Sequence, residues 1–598
     1  MRLAHRAIFI VIAFIAGAYY FWAAQAPGHP FQWGYDLGGY YNYLARGFTG
    51  GHLYVPIQPN PQLLALPNPY VEGVDDSLKV WDMVLYRGRY YLYHGVAPEV
   101  LLFTPWRLVT GHDVPENFGL ALFCLAGFLF SAGTLMRLLR LARMEVSAGV
   151  LAVLLIALAF CQDVPFLFGR VWVYEIAIGC AYCCLSGAVF FLARSIQSGR
   201  PSVWLAGSGL MFGLAIASRP HLGIAAIIAT AALAIQFARK RHFAGILPFL
   251  VPLTAVGIGV MIYNYERFGH PLEFGVRYVM GSHSLSRTEL SKRWVLPGLY
   301  YLVISPPDLS AVFPWIRLVA RHKFEVTFLF VEPIIGCLFL APFVIGIFFL
   351  RRACGGMVSF VALITATAVL LFLAGTGFNT QRYEVDFLPL GALAAAAGFA
   401  AVIARRTGWQ KRGLTTLLVG LVAIGTLTNL AIAVAGPYDD FLKGDPRTYT
   451  RIAAWFSPVA RYRPLLDPNV DVEFTAACTP HDDGFREPLL ALGHYTFREV
   501  VALEHHSGKF RILAQSDRDS VAQEIENPGA RPMSFQIAYH TGVHKLTVSL
   551  DGREVLSHEL EHLLTAPAQV TVGANQIAPE VSAPAFTGRL ERVNVALK

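Results

Sequence analysis

The stretch VWVYEIAIGCAYCCLSGAVFFLA at residues 171–193 contains one charged residue, Glu175, in a run that is otherwise uncharged and mostly apolar. An α-helix needs about 20 mostly apolar residues to cross the hydrocarbon core of a bilayer. A charge one turn inside such a helix is costly unless it has a partner. The stretch therefore predicts a membrane-spanning helix in which Glu175 faces the protein interior.

Runs of the same kind fill the first 435 residues. The chain has 598 residues, of which 55% are hydrophobic and only 15% are charged, whereas an ordinary soluble domain carries about a quarter charged residues. We therefore predict a polytopic α-helical membrane domain over residues 1–435. Its spans, about eleven, are expected near residues 7–24, 117–136, 147–162, 171–193, 203–218, 222–238, 243–263, 331–350, 356–374, 384–404 and 414–435.

Lysine and arginine are distributed unequally between the two sides of these spans. With the N-terminus inside, the inner segments hold sixteen of these residues, against three in the short outer loops. Short loops rich in Lys and Arg stay in the cytoplasm. The N-terminus is therefore expected to be cytoplasmic, and the long segments 25–116 and 264–330 and the C-terminal tail to lie outside. We interpret the chain as a multi-pass protein of a bacterial inner membrane with a periplasmic C-terminal domain.

The tail has the composition of a globular domain. Residues 436–470 form a polar linker, and the pattern then changes to an alternation of period two, as in Met533, Phe535 and Ile537. Such alternation predicts half-buried strands, and Asp551-Gly552 is typical of a hairpin turn. We therefore predict an all-β sandwich over residues 471–598. It resembles the laminin-G or concanavalin-like jelly rolls, which leaves open whether it binds carbohydrate.

The first outer loop opens with GYDLGGYYNYLARGF at residues 34–48. Tyr41, Leu44 and Ala45 recur at helical spacing, which predicts a short amphipathic helix on the membrane surface. Asp36 lies just ahead of that helix, where a carboxylate caps free backbone N–H groups. Further along, VLYRGRYYLY at residues 84–93 predicts a β-hairpin.

The N-terminal part of the chain resembles the C-type (GT-C) glycosyltransferases. The resemblance lies in a single span, an Asp outside it and a surface helix containing Tyr41 and Ala45-Arg46. More narrowly, they resemble the polyprenyl-phosphate-sugar-dependent branch of protein mannosyltransferases and aminoarabinose transferases, which is family 39-like. The stretches GRYYLYHG at 88–95, YNYERFGHP at 263–271 and QRY at 381–383 are similar to uncharacterised bacterial members of the group. The resemblance covers roughly residues 7–435.

The resemblance implies a carboxylate outside the first span that acts as general base. Asp36 matches it, and the alternative interpretation is a helix N-cap alone. A second acid is expected in the loop between the third and fourth spans, where Asp163 is the closer positional match and Glu175 the other candidate. The alternative for Asp163 is a solvated loop residue. Position 37, where the family often has a further acid, is Leu37.

In such a transfer the phosphate of the lipid carrier is the leaving group. Cationic side chains at the same depth in the membrane as the carboxylates are therefore expected to stabilise its charge. Arg219, Arg267 and Arg382 are the candidate phosphate ligands, and Tyr41 and Glu175 complete the predicted substrate-binding group. Arg382 could instead extend its charge from an apolar helix to the interface, and Arg267 could support the loop structure. We assign no metal site. No cofactor is certain, because Leu37 weakens the case for a metal, although a divalent metal stays open.

The expected partners are a polyprenyl-phosphate-linked sugar, membrane lipids and a glycan, lipid or protein acceptor. The formal net charge of +8 is not gathered into one basic patch, so nucleic acid is not expected. The alternative function is a non-catalytic, polymerase-type or exporter-type component of envelope glycan assembly. A polymerase would concentrate its large outer loop late in the membrane domain, whereas here the first loop is the richest.

Overall fold

A computed structural model of the chain describes most of its length in two compact units. One unit comprises residues 1–309 with 316–437, and the other comprises residues 310–315 with 438–598. The described residues are 3–25, 39–70, 74–281, 290–309, 313–318, 330–350, 356–437, 440–441, 446–456, 469–494, 497–516, 520–527, 529, 531–540, 545–559, 569–575, 578 and 581–597. Asp36 lies outside them.

The first unit is a bundle of apolar helices. Within its described part, eight helices are long and apolar enough to cross a membrane, and two shorter apolar helices accompany them. The eight are α1 (Leu3–Ala23), α5 (Glu116–Leu141), α7 (Val173–Ser195), α8 (Pro201–Ser218), α9 (Gly223–Arg239, extended to Pro220 by a 3-10 turn), α10 (Leu247–Phe268, extended to Phe243), α13 (Met357–Ala374) and α15 (Gly408–Ala435). The two shorter helices are α6 (Ala148–Phe160) and α14 (Leu388–Ala404).

The segment predicted as a span at 331–350 is not one continuous helix. It contains strand β5 (Phe330–Val331), the four-residue helix α12 (Cys337–Leu340) and a 3-10 segment, Pro342–Phe349. Pro342 cannot donate the N–H that would continue α12. Gly346 packs so closely that a Cβ there would lie 2.6 Å from the Ala395 carbonyl oxygen. Close backbone packing therefore replaces the regular helix that the apolar run predicted.

The first loop is folded as its sequence pattern predicted. Helix α2 (Tyr40–Thr49) buries Tyr41, Leu44 and Ala45, which are at most 1% exposed. Strands β1 (Val84–Tyr86) and β2 (Arg89–Tyr91) form an antiparallel hairpin. Arg87 and Gly88 both have positive φ, as a two-residue type I′ turn requires. The short helices α3 (Pro61–Leu64) and α4 (Thr104–Thr110) complete the loop, and a π-helical turn, Glu99–Phe103, precedes α4.

The remaining regular elements of the first unit are short and lie between the spans. They are helix α11 (Lys292–Leu299), the antiparallel strands β3 (Asp308–Leu309) and β4 (Ile316–Arg317), and strand β6 (Phe378–Asn379), which pairs in parallel with β5. The second unit includes helix α16 (Pro446–Phe456). The chain is thus a polytopic membrane protein whose C-terminal region is all-β.

Two five-stranded antiparallel sheets form the β part of the second unit. One has the order β11-β10-β9-β8-β15 and the other β14-β13-β12-β7-β16. The strands are β7 (Asn469–Ala477), β8 (Arg486–His494), β9 (Phe497–His506), β10 (Lys509–Ser516), β11 (Ser520–Ile525), β12 (Met533–His540), β13 (Lys545–Leu550), β14 (Arg553–Glu559), β15 (Gln569–Val572) and β16 (Arg589–Leu597).

The predicted alternation in β12 is confirmed, because Met533, Phe535 and Ile537 are at most 1% exposed and face one hydrophobic core. The same alternation in the last strand does not produce burial. Val593 and Val595 stay 48% and 39% exposed in β16, which is the edge strand of its sheet.

Candidate functional site

Several helix ends meet the first loop on one side of the bundle, which we call the loop face. Helix α1 ends on this face and α5 begins there. Because consecutive spans run in opposite directions, α6, α8 and α13 end on the same face, and α7, α9 and α14 begin there. The polar residues that terminate these apolar helices are therefore brought together. Most of the candidate residues lie at these ends, and their contacts join side chains that are far apart in the sequence.

Arg382 is the centre of a buried ion-pair network. It lies in the 3-10 segment Gln381–Asp386 between α13 and α14. Its Nη1 is 3.0 Å from Glu332 Oε2 and 3.7 Å from Glu175 Oε1, and its guanidinium stacks 4.7 Å above the ring of Tyr174. Burial by itself would lower the pKa of Arg382, but the two glutamates raise it above the usual value. The guanidinium is therefore held as a fixed positive charge.

Glu175 has the interior partner that its place in an apolar helix predicted. Its Oε1 faces Arg382, and its Oε2 accepts the backbone N–H of Trp172 at 3.1 Å, which caps the start of α7. Glu332, the other partner of Arg382, also lies 4.0 Å from Arg170. Glu175 thus combines helix capping with ion pairing, and both roles fix the position of Arg382.

Arg219 forms a second network where α8 ends. Its Nη2 is 2.8 Å from Asp386 Oδ2, and the guanidinium lies 5.0 Å from the centre of the Tyr383 ring. His221 Nε2 approaches the same Asp386 oxygen at 3.1 Å. The residues Tyr383 and Asp386 belong to the same 3-10 segment as Arg382, so this segment joins the two arginine networks.

Both arginines keep one unused hydrogen-bond donor. Arg219 and Arg382 are paired through terminal nitrogens, whereas the buried Nε of each has no hydrogen-bond partner within the described ranges. A buried donor left unsatisfied costs about 1–3 kcal/mol. The two side chains therefore have the hydrogen-bonding capacity to bind an anion in addition to the carboxylates that hold them.

Arg267 has different surroundings. Its guanidinium donates to the Leu92 carbonyl and to Asn264 Oδ1, both at 2.7 Å, and stacks 3.8 Å above the ring of Tyr263. These contacts tie the end of α10 to the residue that follows β2. The structure thus places Arg267 against the hairpin of the first loop, where it supports the loop.

Tyr41 is also engaged with the protein. Its backbone N–H donates to Glu116 Oε1 at 2.9 Å, its hydroxyl donates to the Gly95 carbonyl at 3.1 Å, and its ring stacks on Phe103 at 5.2 Å. The side chain is fully buried. Tyr41 therefore holds α2 and the segment after β2 together.

Asp163 is buried, so it is not the solvated loop residue of the alternative interpretation. Its backbone has φ 64°, and its N–H donates to Asn429 Oδ1 at 2.8 Å. The carboxylate lies near Gln381 and Glu384, and burial raises its pKa. Asp163 thus lies against the same 3-10 segment that carries Arg382.

A divalent metal was left open by the sequence. Carboxylate oxygens such as those of Asp163 and Glu384 are the ligands that Mg²⁺ accepts. Among the residues that the structure describes, however, no group of three or more His, Cys, Asp or Glu side chains could hold a metal ion. The donor set therefore offers at most two carboxylates in the described part of the chain, and no metal site is assigned.

The sequence analysis missed two polar residues of the first loop. His94 lies between the rings of Tyr93 and Tyr174, at 4.0 and 4.9 Å. Burial, together with Arg219 and Arg382, lowers the pKa of His94 to about 3, so it is neutral at physiological pH. Its Nε2 has no partner in the described part of the chain.

Asp82 is the second missed residue, and burial raises its pKa while the Tyr174 hydroxyl donates toward it. Glu332 and Asp386 were missed as partners of the arginines. The available signal was weak: a charged residue beside an apolar run indicates burial, but it does not indicate which opposite charge will be its neighbour.

No protein-family model and no curated protein match this chain. Among solved structures, it is similar to the archaeal oligosaccharyltransferase AglB from Archaeoglobus fulgidus in complex with an inhibitory peptide and dolichol-phosphate. The identity is 14% and the TM-score 0.39, over 71% of this chain and 55% of AglB. ArnT from Cupriavidus metallidurans bound to undecaprenyl phosphate matches with 14% identity and a TM-score of 0.39, over 77% of this chain and 81% of ArnT.

Each of these two structures contains a polyprenyl phosphate, which is dolichol-phosphate in AglB and undecaprenyl phosphate in ArnT. The chain spans about half the length of AglB. With TM-scores below 0.5, the matches define neither a donor nor an acceptor for this chain.

Proposed function

We propose that the protein is an inverting glycosyltransferase. It moves a sugar from a polyprenyl-phosphate carrier to an envelope glycan, lipid or protein acceptor on the outer face of a bacterial inner membrane. The observation that carries the proposal is a pair of ion-paired arginines, the partly buried Arg219 and the buried Arg382, whose buried Nε–H groups lack partners within the described residues. A polyprenyl phosphodiester supplies an anionic oxygen at membrane depth, which is the ligand that such donors require.

In the proposed reaction, an acceptor hydroxyl attacks the anomeric carbon of the donor. The new C–O bond forms as the bond between that carbon and the phosphate oxygen breaks, and polyprenyl phosphate leaves with the electron pair. Asp36 takes the proton of the attacking hydroxyl. Arg219 and Arg382 stabilise the charge that develops on the phosphate, because preorganised donors act there without reorganisation. Neutral His94, next to both arginines, supplies a further hydrogen bond.

The first test is transfer of radiolabelled sugar from a panel of undecaprenyl-phosphate donors to envelope fractions. Membranes contain the wild-type protein, Asp36→Asn or the control Asp75→Asn, an exposed carboxylate of the same loop. We expect donor-dependent transfer that is lost in Asp36→Asn and kept in the control, at equal protein levels. Transfer that survives in Asp36→Asn would remove Asp36 as the base. No transfer from any donor by folded wild-type protein would favour the non-catalytic alternative.

The role of the arginines is tested separately by binding of undecaprenyl phosphate to purified protein in detergent. Arg219→Lys keeps a positive charge near Asp386 but removes the Nε donor. Loss of one charge-assisted hydrogen bond predicts about tenfold weaker binding. Arg137→Lys is the matched control, because Arg137 contacts backbone carbonyls of residues 193 and 196 at the opposite end of α7. Equal losses in both variants would contradict the assignment.

A further inference from the structure

Asp82 is a carboxylate at the loop face that the proposed reaction does not use. It lies just before β1 and has a left-handed backbone with φ 57°. Its N–H donates to the Met280 carbonyl at 2.8 Å, and the Met280 N–H donates to the Met83 carbonyl at 2.8 Å. Two hydrogen bonds to one neighbouring residue therefore fix the backbone around Asp82, and with it the direction of the side chain.

The side chain lies between the first loop and the arginine networks. The Tyr174 hydroxyl donates toward the carboxylate, and Arg382 and Arg170 are close enough to act on it electrostatically. On the other side, the Tyr40 hydroxyl at the start of α2 donates to the carbonyl of Trp81 at 2.6 Å. Asp82 thus lies against Tyr174, and the ring of Tyr174 is stacked on the guanidinium of Arg382, the group that we assign to the donor phosphate.

Asp82 differs from the other acids of the arginine networks because its carboxylate is not neutralised by an ion pair. Glu175, Glu332 and Asp386 each lie within 4.0 Å of an arginine nitrogen. No such ion pair involves Asp82 among the residues that the structure describes. A carboxylate accepts about four hydrogen bonds, so after Tyr174 Asp82 retains capacity for further donors.

The turn itself does not require a carboxylate. Asn adopts a left-handed backbone at least as readily as Asp, and an amide avoids the cost of burying a charge. The negative charge at this position is therefore explained better by a ligand than by the fold. Hydroxyl groups are suitable donors, because two neighbouring hydroxyls of a sugar match the two oxygens of one carboxylate.

We propose that Asp82 binds hydroxyl groups of the sugar carried by the polyprenyl-phosphate donor and thereby selects neutral or amino sugars over uronic acids. This inference rests on the proposed function. The transferred sugar is one bond away from the phosphate, so a carboxylate beside Arg382 is within reach of its hydroxyls. A uronic acid would bring a second carboxylate toward Asp82, and the two negative charges would repel each other. Arg382 would not offset this repulsion, because it is already paired with Glu175 and Glu332.

The test measures binding to the purified full-length protein in detergent. The probes are undecaprenyl phosphate alone and undecaprenyl phosphate linked to glucose, mannose, glucosamine or glucuronic acid. Asp82→Asn keeps the turn and removes the charge, Tyr174→Phe removes only the hydroxyl that donates toward Asp82, and Asp75→Asn is the control in the same loop. Bare undecaprenyl phosphate reports on the phosphate site without the sugar.

We expect the wild-type protein to bind at least one neutral or amino-sugar donor about tenfold more tightly than the glucuronic acid donor. Asp82→Asn should lose most of this preference, with affinity for bare undecaprenyl phosphate unchanged. Tyr174→Phe should have a smaller effect in the same direction. Asp75→Asn should behave as wild type.

Three results overturn the inference. In the first, Asp82→Asn binds every donor like wild type. In the second, Asp82→Asn loses affinity for bare and sugar-linked carriers alike, which indicates a structural role. In the third, the wild-type protein binds the glucuronic acid donor most tightly. A folded wild-type protein that binds none of the probes would instead overturn the proposed function itself. The two failures are therefore distinguishable.

Discussion

Replacing Gly95 by alanine should disturb the loop face without removing any functional group. Gly95 follows His94 and accepts the hydroxyl hydrogen bond of Tyr41. Its Cα packs directly against the last turn of α8: an added Cβ would lie 2.1 Å from the Ser218 carbonyl oxygen and 2.3 Å from that of Ala217. The residue that follows α8 is Arg219, which pairs with Asp386.

The size of the effect follows from these distances. Carbon and oxygen atoms pack at about 3.3 Å or more, so the last turn of α8 and the segment at Gly95 must separate by about 1 Å. Overpacking of this kind costs about 1–3 kcal/mol of stability. A displacement of about 1 Å at a catalytic group costs up to about 100-fold in rate. The Gly95→Ala variant should therefore fold with a lower melting temperature and lose most of its transfer activity.

The assay combines thermal unfolding in detergent with transfer from the undecaprenyl-phosphate donors. Gly223→Ala is the matched control, because it introduces the same methyl group at the start of α9 on the same face, where nothing lies within 4 Å. Alanine should be neutral there, or more stable by up to about 1 kcal/mol. If Gly95→Ala melts and transfers like the control, the close packing of Gly95 against α8 does not position Arg219.

Three further predictions concern stability. Burial raises the pKa of Glu99 to about 8 from 4.5. The contribution of Glu99 to the free energy of unfolding is therefore complete below pH 4.5 and falls by up to about 3 kcal/mol as the pH rises to 7. Glu99→Gln should flatten this pH dependence in thermal melts, and an unchanged slope would contradict the prediction. Arg382→Gln should cost about 3–5 kcal/mol by leaving buried carboxylates unpaired, and adding Glu332→Gln should restore part of that loss if the pair is real. In the second unit, Phe535→Ala should cost about 3–5 kcal/mol in denaturant unfolding, whereas exposed Val593→Ala should stay within about 0.5 kcal/mol; similar costs would argue against the assigned core.

The sequence by itself determined the features that depend on short-range pattern. Apolar runs of about 20 residues predict membrane spans, because an α-helix of that length crosses the bilayer and satisfies its backbone hydrogen bonds within the segment. Period-two alternation predicted the core face of β12, and residues 84–93 predicted the first hairpin, because alternating strands and a glycine-containing turn are local signals. The partition into a helical membrane part and a β-rich tail could therefore be obtained without coordinates.

Only the tertiary structure decided which charges meet. Glu332 and Arg382 are 50 residues apart, and Arg219 and Asp386 are joined across more than 160, so their pairing depends on how the helices pack. The position of Asp82 beside the arginines depends on its backbone contact with Met280, which no local pattern indicates. Ion pairs and substrate-binding groups at helix ends are set by the relative placement of whole helices, and a single sequence specifies that placement only through long-range packing.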